Sequence, residues 1–222
     1  YPEFLYHNKE RVYFPENAEH FKRENYSLPS TYDEDGKCLP VGMTDPAKGK
    51  YSFDVYCEKS LQFIRENKDN PFFLYLAYTT PHGPLIVPDL GIYKDETWDI
   101  QFKEWAAMIT RMDTEVGKLL VLLKDLELDE NTIIFFASDN GNPSGYDERY
   151  VKLTGGKTIQ EFFDNVCPTR GGKGDSYDGA FRVPAMVRWP GRIKPGQVSD
   201  HIWAFWDFMP TAAELASIKT PE

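Results

Sequence analysis

Two apolar runs flanking one long amphipathic stretch constrain this chain more than any other feature. Pro71 to Tyr78 reads PFFLYLAY and Thr132 to Ala137 reads TIIFFA, both rich in residues that pack on a pleated surface. Pro71 heads its run, a place where a strand tolerates a residue without an N–H. Between the runs, Trp105, Ile109, Met112, Val116, Leu119, Leu123 and Leu126 recur at steps of three and four, the spacing of one helical face. A helix over 104–126 is therefore predicted, with that stripe packed on a sheet as core. Leu128 to Asn131 turns the chain back, and a strand–helix–strand order of this kind joins its strands by a right-handed crossover. The predicted class is α/β, with a mixed, mostly parallel sheet flanked by helices.

Both runs end in polar side chains. TIIFFA runs through Ser138 into Asp139 and Asn140, with Gly141 behind them to let the chain turn. Asp-Asn-Gly is an ordinary turn sequence, but an open α/β sheet binds its ligands beyond the carboxyl ends of its strands, where a carboxylate and an amide together can serve as hard metal ligands. The other run closes in Thr79-Thr80-Pro81-His82-Gly83-Pro84, which puts His82 just past a strand end in a stiffened loop. The crossover puts His82 and Asp139 at the same sheet edge. Further on, Thr169-Arg170-Gly171-Gly172-Lys173-Gly174 sets two cations around a flexible backbone, a composition suited to a tetrahedral anion held by ammonium charge and bare N–H groups. It is not a P-loop, because Lys173 is followed by Gly174 and Asp175 rather than Ser or Thr.

These segments, in this order, resemble the formylglycine-dependent sulfatases, a branch of the alkaline phosphatase superfamily. FFLYLAYTTPHGPL, AAMITRMDTEVGKLL, TIIFFASDNG, RGGKGDSYDGAFRVPAMVRWPGRIKPG and DHIWAFWDFMPTAAELA carry the likeness, from about Tyr51 onward. The wording is similar to arylsulfatase-like and N-acetylgalactosamine-6-sulfatase-like members. The resemblance implies an alkaline-phosphatase-like sandwich, incomplete here, and hydrolysis of sulfate esters by attack of a formylglycine hydrate on sulfur. It implies Asp139 and Asn140 as ligands of Ca²⁺ or Mg²⁺, and His82 and Lys173 as catalytic residues that contact the sulfate, with Arg170 also binding substrate. An imidazole or ammonium near the ester oxygen can protonate the leaving alcohol, and the cations neutralise charge on the sulfate oxygens. Which of the two donates the proton is open at this level.

The nucleophile is where the chain departs from the family. Formylglycine arises from Cys or Ser within C/S-x-P-x-R. Cys38-Leu39-Pro40-Val41-Gly42 ends in glycine, Cys167-Pro168-Thr169-Arg170 has its proline and arginine at the wrong offsets, Cys57 has no proline, and no serine fits. The Asp-Asp pair that such enzymes place after their first strand is also missing. Residues 1–222 are accordingly expected to be the latter part of a catalytic domain, a loop-rich excursion over 1–50 and an α/β portion over 51–222, with formylglycine expected in an N-terminal part not present and no turnover by the piece alone. A start at Tyr1-Pro2, without methionine or signal segment, fits that expectation.

A phosphatase or phosphodiesterase of the same superfamily is the alternative enzyme. Those two-zinc enzymes commonly present Asp-His where this chain has Asp139-Asn140, and an amide oxygen suits Ca²⁺ better than zinc. A non-catalytic homologue that binds sulfated glycans is a third reading.

Composition narrows the partners. With 25 basic against 35 acidic residues, the formal charge of −10 speaks against a nucleic-acid surface, and no apolar run is long enough to insert in a membrane. The partner implied is a sulfated small molecule or glycan, and the family likeness implies an extracytoplasmic place. Arg170, Lys173, Arg182 and Arg188 could supply local positive charge if they share a face. Three widely spaced cysteines make neither a disulfide framework nor a zinc pattern.

Other expectations are local. Ser52 should cap a helix with Val55, Leu61, Phe63 and Ile64 inward, and Pro184 to Trp189 should be a short buried strand. Asp207 should cap a last helix over 208–216. Arg111, Asp113 and Glu115 read as a solvated or ion-paired face, His201 as a surface or capping histidine, and His20, Arg23, Tyr26 and Tyr32 as distant candidates for substrate contact.

Overall fold

The computed structural model describes residues 1–20, 45–83, 85–142, 157, 159–163 and 169–220. It divides into a larger unit, Tyr1–Trp189, and a smaller one, Pro190–Glu222.

The larger unit opens with a hairpin of β1 (Phe4–His7) and β2 (Glu10–Tyr13), antiparallel with Tyr6 opposite Arg11 and Phe4 opposite Tyr13. Asn8 takes the turn at φ 56°, a left-handed conformation that Asn tolerates better than most residues. A short helix, α1 (Pro15–His20), follows. Asn17, fully buried, ties this region together: its amide donates to the carbonyls of Pro2 at 2.7 Å and Lys50 at 2.9 Å, and the Lys50 N–H donates back to Asn17 Oδ1. The predicted loop-rich stretch over 1–50 thus begins as a hairpin and helix closed against Lys50. The side chain of His20 and the candidates Arg23 and Tyr26, Tyr32 and Cys38 lie outside the described residues.

Helix α2 (Ser52–Glu66) starts one residue earlier than expected, with Tyr51 at the cap position. Its buried stripe is Phe53, Cys57, Ser60 and Ile64, so Val55, Leu61 and Phe63 flank the core rather than form it. Ser60 is accommodated inside because its hydroxyl donates to Cys57 O at 2.7 Å. Residues 72–78 alternate strictly between half-buried and exposed, the period of an extended chain, with Phe73 and Tyr75 outward at 71% and 78% exposure. No sheet ladder is assigned to them.

Helix α3 (Ile100–Asp125) is longer at its start than the stripe implied. In its C-terminal half the predicted Leu123 is buried, with Leu122 outside the predicted stripe and Ile64, and the predicted Leu119 and Leu126 pack around them with Phe72, Leu74 and Ile134. The N-terminal half is rotated. Phe102, Ala106, Ala107 and Met108 are buried, whereas Ile109 is 42% exposed. The cause is that this half is covered by the Leu85–Val87 segment, which packs on Ala107 and Met108, and by Phe162, whose ring stacks on Phe102 at 3.8 Å. Arg111 reaches α2 and grips Asp54 with two hydrogen bonds of 2.6 and 2.5 Å, while Glu115 pairs with Lys118 one turn on.

After a 3₁₀ turn at Asp129–Asn131 comes β3 (Ile134–Ala137), which pairs with β4 (Ala185–Arg188) in antiparallel register, Ile134 opposite Arg188 and Ala137 opposite Ala185. Two short helices, α4 (Ile159–Phe162) and α5 (Asp178–Phe181), lie between them in sequence. Among the described residues a mostly parallel sheet is not seen: the two sheets present have two strands each and are antiparallel. β4 is not buried either, with Met186 58% exposed and Val187 43% exposed. It is anchored from its end instead, where Arg188 holds Asp129 through a two-point pair at 2.5 and 2.9 Å and Trp189 Nε1 donates to Glu130 O at 3.0 Å.

In the smaller unit a 3₁₀ turn at Phe205–Asp207 leads into α6 (Phe208–Leu215). Asp207 stands at the predicted cap position but makes no cap bond to this helix; its carboxylate accepts the Ala204 N–H at 2.8 Å instead. His201 is exposed, as expected. Among the described residues no helix is long and apolar enough to cross a membrane.

Candidate active site

β3 delivers its chain end into a tight, hydrogen-bonded turn. Ser138 Oγ donates to Asn140 O at 2.9 Å, and Asn140 Nδ2 donates to Gly141 O at 2.8 Å. Committing the amide nitrogen in this way leaves Oδ1, the other end of the planar amide, as the atom that can accept or ligate. Asp139 is exposed and Asn140 half-buried.

The segment that follows is stitched to the glycine-rich loop. Gly141 N–H donates to Ala180 O at 2.9 Å and Lys173 N–H to Asn142 O at 2.7 Å, while Gly179 N–H closes on Arg170 O at 2.9 Å. The backbones meet so closely that side chains have no room. A Cβ on Gly141 would lie 1.8 Å from Gly179 O, and one on Gly179 would lie 2.1 Å from Gly171 O. Glycine is required at both places by this approach. Asp139-Asn140 and Lys173, far apart in sequence, thus belong to adjoining loops.

The glycine-rich loop differs from its expected form in one respect. Gly172 N–H donates to Asp175 Oδ2 and Asp175 N–H to Gly172 O, each at 2.9 Å. With Lys173 N–H also engaged, these two amides are not bare and cannot cradle an anion. What the loop offers is side-chain charge: Lys173 is exposed, and the exposed Arg170 lays its guanidinium 3.7 Å above the Tyr177 ring. Arg188 is engaged by Asp129, so the basic stretch does not act as one patch.

His82 is exposed, and its hydrogen bonds stay within its own loop. Its N–H donates to Thr79 O at 2.9 Å, and ring Nδ1 lies 2.6 Å from Gly83 O. A carbonyl only accepts, so Nδ1 carries a proton and Nε2 is the nitrogen left for chemistry. Backbone bonds join Lys173 and Ala180 to Asn142 and Gly141, just past Asp139-Asn140, and among the described residues no such bond reaches His82 from these loops.

Among the described residues no group of three or more His, Cys, Asp or Glu side chains could hold a metal. Asp139 and Asn140 nonetheless fit a hard cation chemically, as oxygen donors on one turn. Cys57 is excluded as a nucleophile. It is buried in α2, and burial, with Glu115 nearby, pushes its thiol up to about 12. The Cys38 and Cys167 windows lie outside the described residues.

Sequence reasoning missed Asp175 and Gly179, the residues that shape the loop around Lys173. A carboxylate two residues beyond Lys173 and a glycine after Asp178 were the available signals. It also missed Glu104, whose carboxyl is pushed up to about 8 by burial and whose Oε2 has no hydrogen-bond partner among the described residues.

Comparison with known proteins places these features in a family. The model of the Sulfatase family matches residues 2–218. The N-acetylgalactosamine-6-sulfatase of Canis lupus familiaris is 33% identical over 178 residues, 75% of this chain and 29% of the relative. The arylsulfatase of Hemicentrotus pulcherrimus is 32% identical over 179 residues, 81% of this chain and 29% of the relative. The chain therefore spans less than a third of the length of these relatives. The solved structure of Ps i-CgsB in complex with k-i-k-neocarrahexaose superposes with a TM-score of 0.63 at 32% identity, covering 78% of this chain and 36% of that one.

Proposed function

This chain belongs to the sulfatase family, and from that premise we propose that the whole protein hydrolyses sulfate esters of sugars, with aryl sulfates as simpler substrates. The observation that supports the reading is the backbone stitch between Lys173 and Asn142, which brings the loop that carries Lys173 against the segment just after the acid–amide turn. A relative named for a sulfated amino sugar and a structural neighbour solved with a carrageenan oligosaccharide support the substrate class.

In this reading Asp139 and Asn140 hold a Ca²⁺ or Mg²⁺ ion through oxygen atoms. Such an ion takes 6–8 oxygens for Ca²⁺, so other ligands must join these two. When bound, it supplies positive charge against the sulfate oxygens, and formylglycine supplies the attacking oxygen. The chain's own residues do the rest. Lys173 orients and neutralises the sulfate, Arg170 adds a second cation held in place by Tyr177, and His82 offers Nε2 for proton transfer to the leaving alcohol. We place the protein outside the cytoplasm, following its family likeness.

The test is to assay the whole protein against an aryl sulfate and an aryl phosphate, before and after removal of divalent ions. Sulfate hydrolysis that falls on chelation is expected. Preference for the phosphate, or no hydrolysis of either, would overturn the reading.

A further inference from the structure

The β1–β2 hairpin sorts its side chains by chemistry. Alternation along each strand and the register Phe4–Tyr13 and Tyr6–Arg11 put Phe4, Tyr6, Arg11 and Tyr13 on one face, and send Glu10 to the other. On the first face the rings form a continuous patch, Phe4 lying 5.5 Å from both Tyr6 and Tyr13, centroid to centroid. The Arg11 guanidinium sits 4.5 Å over Phe4 and 5.9 Å from the Tyr6 ring, and its Nε donates to Tyr6 Oη at 3.3 Å. Tyr6 is 62% exposed and Tyr13 59%.

We infer that this face is an accessory binding surface for a sulfated oligosaccharide, on which sugar rings stack against Tyr6 and Tyr13 while Arg11 pairs with a sulfate. Aromatic rings take the apolar C–H face of a sugar at small entropic cost, since each ring has few torsions to fix. A guanidinium presents parallel N–H groups that match two oxygens of a tetrahedral anion. Charge decides between neutral and anionic sugars. In a chain of net charge −10, an anion needs a surface from which the acids have been removed, and Glu10, the one acid within the two strands, is on the reverse face. A nearly bare arginine held between aromatic rings is already oriented, so binding it costs little further ordering. The inference rests on the proposed sulfated-sugar substrate, and adds a site beyond the one that cleaves it.

The experiment compares the whole protein with its Arg11→Ala and Tyr6→Ala/Tyr13→Ala variants. Three probes are used: a small aryl sulfate, a sulfated galactan hexasaccharide, and the same hexasaccharide after chemical desulfation. Expected are a rise of about tenfold in KM for the sulfated hexasaccharide, from loss of one charge-assisted contact, and unchanged kcat/KM for the aryl sulfate. Calorimetric titration should show the desulfated sugar binding weakly and indifferent to Arg11→Ala. Wild-type kinetics for the hexasaccharide in both variants would overturn the inference, as would equal losses on both substrates, which mean a structural role. If the protein hydrolyses no sulfate, the proposed function fails, and titration of the sulfated hexasaccharide still decides: binding weakened by Arg11→Ala upholds the surface, while binding that is absent or unaltered removes it.

Discussion

Lys173 donates its backbone N–H to the carbonyl of Asn142 at 2.7 Å, so the cation of one loop is registered against the acid–amide turn of another by main chain alone. The side chain is therefore free to be changed without breaking the stitch. Lys173→Ala should lower kcat/KM for an aryl sulfate by a factor on the order of 10² to 10³, the scale for removing one group that stabilises developing charge. Circular dichroism and melting temperature should stay at wild-type values. Near-normal turnover would take Lys173 out of the site.

Gly141 makes the opposite case, because its backbone contact leaves no space for a side chain. A Cβ there would lie 1.8 Å from Gly179 O, a backbone atom with no rotamer to yield. Gly141→Ala should cost about 1–3 kcal/mol, as overpacking does, and should also depress activity by parting the two loops. Denaturant titration alongside kinetics reads both. Gly117→Ala is the control, since nothing lies within 4 Å of a Cβ at that position.

The Arg111–Asp54 pair joins α2 to α3, with side chains 31% and 35% exposed. Solvent screens it in part, so the coupling in a double-mutant cycle should be about 1–2 kcal/mol, below that of a fully buried pair. The Lys118–Glu115 pair within α3 should give about 0.5 kcal/mol or less. Equal couplings would mean that the inter-helix pair adds nothing beyond a local one.

Glu104 predicts a pH dependence of stability. Burial raises its carboxyl from 4.5 to about 8, so the folded protein holds a proton that the unfolded chain releases. Between these two values the folded state binds more protons, and stability must fall as pH rises, by no more than roughly 1.4 kcal/mol per pH unit. Tyr1 and Tyr51, whose phenols burial keeps neutral, are the titratable groups that interact with it. Glu104→Gln should remove this contribution, so the variant's melting temperature should gain on wild type from pH 5 to pH 8. Parallel melting curves across that range would show that Glu104 does not titrate there.

Much of the architecture was legible because periodicity is local. The α3 stripe foretold Leu123 and Leu126 correctly, and the alternation over 72–78 follows from an extended apolar run. The same stripe failed at Ile109, where burial depends on which distant segment covers the helix, and Leu85–Val87 and Phe162 lie far from it in sequence. β4 reads as buried on composition alone, yet Met186 is exposed, because inwardness belongs to the assembled sheet rather than to the strand.

For the candidate site, the sequence determined the chemistry on offer: oxygen donors at a strand end, a histidine in a proline-bounded loop and cations among glycines. These follow from side-chain identity and from the turn habits of Asn, Gly and Pro. Tertiary structure decided what each group is used for. It spent the Gly172 and Lys173 amides on Asp175 and Asn142, engaged Arg188 with Asp129, and laid Arg170 on Tyr177. Each of these pairings depends on where the chain returns to itself, and closing a long loop onto one partner rather than another reflects the packing of the whole, which no short window of residues encodes.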